Sequence, residues 1–283
     1  MSASNRLMPG TVLDDRYALE RVVGQSATCI SYLARDLREG AGVVLGEYYP
    51  VCLVRRGSDG SLSTSRSLRA CERAYEAGLS TYVERVRLLA RVGTRRAVSR
   101  PLDVFSANGT AYAVWEHVRG LSLAELARRK GGRLGCDDLL RMTEPLLDAL
   151  AEMHVAALVH GGITPQGVVL SHGQARLVGW GLAIAADCRS YMPVEQSVRR
   201  DLCPWACGPW TDVYGLCATI YECLTGTSPP DALDRVVGDS LVPPRKLGVA
   251  MSVGREAALL KGLRVMPGAR HESMAVLKAT LYG

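Results

Sequence analysis

The chain has 283 residues, of which 48% are hydrophobic and 22% charged, and its formal net charge is +6. Such a chain can bury a core without disulfides or metals, and it has no apolar run of roughly 18 residues, so we expect no membrane span. The first ten residues lack the apolar core of a secretory signal, and the nine cysteines follow no disulfide or zinc spacing, which favours a cytoplasmic protein with reduced thiols. The basic residues are not interleaved with aromatic ones, so we expect no nucleic-acid binding.

The first part of the chain is predicted to be rich in β-structure. Glycine and polar residues at 24–26 predict a hairpin turn, residues 58–67 a Ser/Gly-rich loop, and apolar spacing a long helix over 69–92. Apolar alternation and short apolar runs predict strands at 17–23, 30–34, 43–45, 99–105 and 111–117.

After Gly120 the apolar spacing becomes mainly helical. Two short strands are predicted at 167–170 and 174–178. Helices are predicted at 121–130, 137–156, 211–225, 255–264 and 274–282. We therefore predict an α+β protein with a β-rich N-lobe at 1–118 and a mainly helical C-lobe at 119–283, which together form one domain.

Several short motifs stand out along the chain. They are LVHGGITPQGVVL at 158–170, ARLVGWGLA at 175–183, GEYYP at 46–50, YMPVEQ at 191–196, GPWTDVY at 208–214 and LTGTSPP at 224–230. In this order and spacing they resemble the bacterial Ser/Thr protein kinase family. Each motif alone is weak, but the resemblance covers nearly the whole chain from about Met8. It implies the two-lobed fold of a protein kinase.

At the positions where that family carries its chemistry, this sequence differs from the family pattern. Phosphoryl transfer needs positive charge on the phosphates, a base for the acceptor hydroxyl, and carboxylate or amide oxygens for Mg²⁺. The resemblance places Gly46 at the phosphate-anchoring lysine, Arg85 at its glutamate partner, Gly162 at the catalytic aspartate, Gly167 at the metal-binding asparagine and Gly179 at the metal-binding aspartate. Losing one such electrostatic group costs about 10²–10³ in rate, so we expect no enzymatic activity, no metal and no cofactor.

The resemblance also implies a nucleotide cleft, and here too the sequence has changed. Its lining would comprise Gly24, Ser26, Cys29, Val44, Trp115 and Leu170. Ser26 and Cys29 replace two glycines of a phosphate loop, and Val44 and Trp115 add bulk to the adenine slot. Alternatively, Trp115 points into the core behind the slot.

Residues that support the family's shape are retained. The resemblance implies a buried ion pair between Glu195 and Arg270, and hydrogen bonds from the backbone of the His160 loop to Asp212. It also implies an apolar spine formed by His160, Trp180, Leu89 and Leu102.

These observations lead us to expect a pseudokinase that acts as a scaffold or allosteric regulator of a signalling partner, either an active kinase or another signalling protein. The alternative is a metal-independent nucleotide-binding protein that uses Arg85, with non-kinase transfer chemistry. The competing interpretation, which we favour, is that Arg85 pairs with a local acid or reaches solvent. The oligomeric state stays open, and the β-lobe edge or the basic helix at 121–130 is a candidate homodimer surface.

Overall fold

An antiparallel sheet and one long helix form the first of two compact units in this computed structural model, which describes residues 5–64, 69–92, 97–179, 189–197 and 205–283. The first unit contains most of the chain up to His117, and the second contains most of the chain from Val118 onward. The strands of its six-stranded sheet are β1 (Val12–Leu13), β2 (Tyr17–Gln25), β3 (Cys29–Asp36), β4 (Gly42–Tyr48), β7 (Pro101–Ala107) and β8 (Thr110–Glu116). They lie in the order β1-β2-β3-β4-β8-β7.

The first hairpin turns later than the sequence predicts. Gly24 and Gln25 continue β2 and pair with Ser31 and Ile30, so the turn lies at 26–28 and is closed by the Ser26 N–H donating to the Cys29 carbonyl at 2.8 Å. The predicted turn at 24–26 is wrong in position because two register shifts in β2 change its pairing with β3.

A second, small hairpin, which the sequence does not predict, extends into the loop predicted at 58–67. It consists of β5 (Val54–Arg56) and β6 (Leu62–Thr64). Strands of three residues are too short to show a periodic pattern, so the sequence carries no signal for them.

The long helix α1 (Arg69–Arg91) lies within the predicted helical range and buries Tyr75, Val86 and Leu89. The core of this unit is aromatic and aliphatic, and it is drawn mainly from alternate positions of the strands. Its largest fully buried members include Tyr17, Ile30, Tyr32, Leu45, Tyr49 and Tyr112.

The second unit is mainly helical, with a three-stranded sheet of order β11-β10-β9. Its strands are β9 (Leu121–Ser122), β10 (Val168–Ser171) and β11 (Gln174–Leu177). Its helices are α2 (Leu123–Arg129), α3 (Cys136–Val155), α4 (Val194–Ser197), α5 (Pro209–Thr225), α6 (Ala232–Val237), α7 (Val253–Gly262) and α8 (Met274–Leu281).

Two local signals set the helix ends. Helix α2 starts two residues later than predicted because Leu121 and Ser122 pair with β10, and the Ser122 hydroxyl caps the helix by accepting from the Glu125 N–H. Helix α5 ends at Gly226, whose φ of 74° suits glycine. Helix α5 is buried along most of its length and forms the centre of this unit.

In the described parts of the chain, no helix combines the length and apolarity that a bilayer crossing needs.

Candidate functional site

Strand β4 presents two different faces. Because side chains alternate along a strand, Val44, Gly46 and Tyr48 share one face, and Glu47 belongs to the other. Gly46, the residue at the lysine position of the resemblance, is buried and pairs with Ser31 and Ala113 across the neighbouring strands.

Helix α1 is fastened to the first of these faces by tyrosines. The ring of Tyr48 stacks against Tyr75 and Tyr82, with ring centroids 5.7 and 5.6 Å apart. The Tyr82 hydroxyl donates to the Gly46 carbonyl at 2.8 Å, and burial raises the pKa of Tyr82 well above 10. A Cβ at Gly78 would collide with the Tyr48 hydroxyl, so any other residue there would require the Tyr48 side chain to shift.

Arg85 lies on the same helix, one turn after Tyr82, and it is exposed. Among the residues that the structure describes, no carboxylate lies within ion-pair distance of Arg85. Its side chain is thus exposed and forms no ion pair with the residues that the structure describes.

The other predicted nucleotide-cleft residues lie in both units. Gly24, Cys29, Val44 and Trp115 belong to strands of the first unit, and Ser26 lies in its first turn, where the hydroxyl accepts the Thr28 and Cys29 N–H groups. Val44 and Trp115 are directly opposed in the β4–β8 register, so both are on the same face of the sheet. Trp115 is 1% exposed and Val44 is half-buried. Leu170 lies in β10 of the second unit.

The opposite face of β4 holds a buried polar network that sequence reasoning missed. Glu47 is fully buried and accepts hydrogen bonds from Arg56 at 2.6 Å, Tyr32 at 2.9 Å and Tyr112 at 2.6 Å. Arg56 also donates to the carbonyls of Asn5 and Gly60. The network joins β4 to the N-terminal segment and to the β5–β6 hairpin. The only signal for it in the sequence is a glutamate inside an otherwise apolar strand.

In the second unit, Asp212 on α5 holds the loop that contains His160. Its carboxylate accepts the backbone N–H groups of His160 at 2.8 Å and Gly161 at 2.7 Å, and it lies 2.8 Å from Nε2 of His154. All three contacts are buried or partly buried, so the loop backbone is fixed in position by a single carboxylate.

His160 itself is buried, and burial lowers the pKa of its imidazole to about 4, although the nearby Asp212 carboxylate opposes this. Its ring is therefore neutral at pH 7. Within the described residues, neither ring nitrogen has a hydrogen-bond partner, which suits a packing role rather than proton transfer.

The glycines of this loop differ in their backbone conformation and in the room that each leaves for a Cβ atom. Gly161 has a φ of 68°, and a Cβ there would lie 2.8 Å from Nε2 of Gln196. At Gly162 the nearest atom to a Cβ is His160 Nδ1 at 4.0 Å, and at Gly167 the nearest contacts are ordinary ones at 3.4 Å. Gly179 has a φ of 97°. Gly162 and Gly167 thus have room for a Cβ, whereas Gly161 does not.

The donor chemistry at these positions does not fit the Mg²⁺ that the kinase fold implies. Mg²⁺ takes hard oxygen ligands, usually with one or two carboxylates, and the residues here are Gly162, Gly167 and Gly179. Among the residues that the structure describes, no three His, Cys, Asp or Glu side chains lie close enough together to hold a metal ion.

Glu195 and Arg270 form a fully buried ion pair with both side chains at 0% exposure and contacts of 2.8 and 3.0 Å. Arg270 also donates to the carbonyls of Arg264, Val265 and Trp210, and Glu195 accepts from the Thr211 hydroxyl. Because every charge is hydrogen-bonded, the pair is of the kind that is costly to break from one side.

The proposed apolar spine is corrected at one position. Leu89 is fully buried and His160 is 6% exposed, but Leu102 is 61% exposed. A register shift between Pro101 and Asp103 leaves Leu102 without a partner in β8, and its side chain therefore faces solvent. Trp180 lies outside the described residues.

No protein-family model matches the chain. Among curated proteins, it is 33% identical over 195 residues to CBL-interacting protein kinase 22 of Oryza sativa subsp. japonica, covering 68% of this chain and 42% of that protein. It is 28% identical over 221 residues to the Ser/Thr protein kinase PknL of Mycobacterium tuberculosis, covering 74% and 53%. It is 26% identical over 289 residues to PknB of Mycobacterium leprae, covering 95% and 43%. The chain thus spans about half the length of these relatives.

Solved structures resemble nearly the whole chain, and two of them serve as examples. The apo form of PpkA-294 aligns with a TM-score of 0.75 at 23% identity, covering 98% of this chain and all of that one. The PknI kinase domain of Mycobacterium tuberculosis aligns with a TM-score of 0.66 at 20% identity, covering 98% and 99%. At these identities the likeness shows the fold, and the expectation of a kinase-like α+β fold is confirmed.

The comparisons contradict one expectation. The sequence led us to predict that the chain is not an enzyme, and this prediction is wrong as judged by its relatives, which are named as protein kinases. The chain is homologous to bacterial Ser/Thr protein kinases and has the α+β fold of a protein kinase domain.

Proposed function

We propose that this kinase-like domain works in signalling by binding a partner protein and regulating or scaffolding it. The partner is an active kinase or another signalling protein. The observation that carries the proposal is the support of the His160 loop by Asp212, together with glycines at the positions to which the resemblance assigns chemistry.

The energetic cost of breaking buried polar contacts supports this proposal. Buried ion pairs and carboxylates that hold backbone N–H groups are costly to leave unpaired, and this chain keeps Asp212, Glu195 and Arg270 all fully satisfied. A chain that keeps them preserves the shape of the second unit. A preserved shape is what a protein-binding surface needs.

Phosphoryl transfer is the activity that the names of the relatives indicate. In this chain it must use groups other than the family's usual ones, because Gly46, Gly162, Gly167 and Gly179 supply no charge.

We also propose that residues 1–118 and 119–283 are two lobes of one domain, and that the protein is located in the cytoplasm.

A pulldown with the purified chain tests the partner role, followed by a γ-phosphate transfer assay on the captured protein with and without the chain. We expect a stoichiometric partner whose activity or assembly changes when the chain is added. An Asp212→Asn variant, which weakens the support of the loop, should reduce capture, and an exposed Asp137→Asn variant should not. Efficient phosphorylation of several unrelated substrates without any stable partner would contradict the proposal.

A second candidate function is metal-independent nucleotide binding through Arg85. The exposed guanidinium, with no carboxylate partner among the described residues, favours it because arginine binds phosphate oxygens in bidentate geometry. Thermal-shift titration with ATP, with and without Mg²⁺, tests it. A stabilisation that needs no metal and disappears in Arg85→Ala, but persists in Arg73→Ala on the same helix, supports this function. The absence of any shift at millimolar ATP rules it out.

A further inference from the structure

A groove of about 520 Å³ opens on the second unit, between helix α2, the loop that follows it, the start of α3 and the β10–β11 turn at Gly173. It is within the size range of sites that bind small ligands or a few peptide side chains. It is built entirely from the second unit and includes none of the positions that the kinase resemblance assigns to chemistry.

The floor of the groove is apolar. It is formed by Leu126, Leu134 and Met142, of which Leu134 is buried and the other two are half-buried. The Leu134 N–H donates to the Cys223 carbonyl at 2.7 Å, which fixes this wall to helix α5. Methionine adapts its shape to different apolar partners, so the floor suits aliphatic side chains of varied form.

The rim of the groove is basic. Lys130, Arg133 and Arg141 lie on it, and the single acid, Asp138, is already 3.2 Å from Arg141. Within the described parts of the chain, no carboxylate is within ion-pair distance of Lys130 or Arg133. The rim therefore has uncompensated positive charge.

Arg133 is also held in place. Its Nη1 donates to the Leu247 carbonyl at 2.9 Å, and its side chain packs beside Gly226, where a Cβ would lie 3.3 Å from Cγ of Arg133. A fixed guanidinium loses less side-chain entropy when it binds an anion than a free one does, so this arrangement favours recognition of a carboxylate.

We propose that this groove binds an acidic peptide segment of the partner protein, with aliphatic side chains seated on Leu126, Leu134 and Met142 and carboxylates paired with Lys130 and Arg133. None of the residues that line the groove is aromatic, which disfavours single-stranded nucleic acid because its bases need stacking surfaces. A small anion would leave the apolar floor unused. The inference rests on the partner-binding function proposed above and names the surface and the chemistry of its occupant.

Fluorescence polarisation tests the inference, using a short fluorescein-labelled peptide in which glutamates alternate with leucines. One matched peptide replaces the glutamates with lysines, and another replaces the leucines with serines. We expect the acidic peptide to bind at least about tenfold more tightly than either control, with an affinity that falls as salt rises. Lys130→Glu should weaken binding about tenfold, and Lys261→Glu, the same change at an exposed site on α7, should leave it unchanged.

Met142→Lys tests the floor separately, with the melting temperature of each variant measured to show that the fold is retained. Equal binding of the three peptides, or equal binding by the parent chain and Lys130→Glu, overturns the inference. If the chain instead dimerises in sedimentation experiments and Lys130→Glu abolishes the dimer, a second copy fills the groove and the inference is wrong. A partner that is still captured by Lys130→Glu in the pulldown would leave the proposed function intact while rejecting this groove.

Discussion

The hydroxyl group of Tyr82 on helix α1 donates a 2.8 Å hydrogen bond to the backbone carbonyl of Gly46 on strand β4. Gly46 is the position that the kinase resemblance gives to a lysine, and Arg85, one turn further along α1, is the position that it gives to the glutamate partner. The helix is thus joined to the sheet by a tyrosine hydroxyl and a stacked set of rings, Tyr48 with Tyr75 and Tyr82, rather than by an ion pair between those positions.

Removing the Tyr82 hydroxyl should loosen α1. We expect Tyr82→Phe to lower the free energy of unfolding by about 1 kcal/mol, because the ring stack remains while one hydrogen bond is lost. Urea titration measures this change, and hydrogen exchange should accelerate in α1. Tyr48→Phe is the matched control, since no described residue hydrogen-bonds its hydroxyl. Equal destabilisation by the two variants would show that the Tyr82–Gly46 bond has no special role.

Adjacent glycines in the His160 loop should respond oppositely to alanine. Gly161→Ala places a side chain at a φ of 68° and against the Gln196 amide, so we expect a loss of about 2 kcal/mol. Gly162→Ala enters open space and restricts the unfolded chain, so stability should stay constant or rise by up to about 1 kcal/mol. Thermal unfolding of both variants provides the measurement. A Gly162→Ala variant that is as unstable as Gly161→Ala contradicts the described loop geometry.

The buried Glu47–Arg56 pair should be costly to break from one side. Glu47→Gln leaves the Arg56 cation buried without its charge partner, so we expect a loss of about 3–5 kcal/mol in the free energy of unfolding. The double variant with Arg56→Met should lose much less than the two single changes together. Glu39→Gln, on an exposed loop, is the control and should have little effect. Additive losses in the double-mutant cycle would mean that the two charges do not interact.

His160 should make the protein less stable in mild acid. Its pKa is about 4 in the folded chain, and an imidazole in the unfolded chain titrates near 6.5. Between these pH values the unfolded chain binds more protons, so the free energy of unfolding falls as pH drops from about 6.5 towards 4, by about 3 kcal/mol in total. Above about pH 6.5 this contribution is constant.

Denaturant unfolding of the parent chain and of His160→Leu at several pH values isolates the contribution, because the other titrating groups, including the buried His271, remain in both. The loss of stability between pH 7 and pH 4.5 should be smaller in the variant. Parallel pH profiles would show that His160 does not titrate as its burial requires.

The sequence predicted the order of the elements well, because the signals for it are local. Helix α1 and helix α5 follow from apolar spacing and from the glycine at 226, and the two-unit α+β organisation follows from where strand patterns give way to helical ones. The kinase resemblance likewise depended on short motifs that can be read without coordinates. Where an element was missed, as with β5 and β6, it was too short to have a periodic pattern.

Only the tertiary structure showed which side chains meet across the fold. The bulge that exposes Leu102, the tyrosines that hold α1 on β4, and the burial of Glu47 with Arg56 each depend on contacts between residues that are distant in sequence or on the register of paired strands. Periodicity assigns a residue to a strand or helix but does not fix the partner that it faces. Strand register and packing set those partners, and through them the burial and charge that decide what each residue can do.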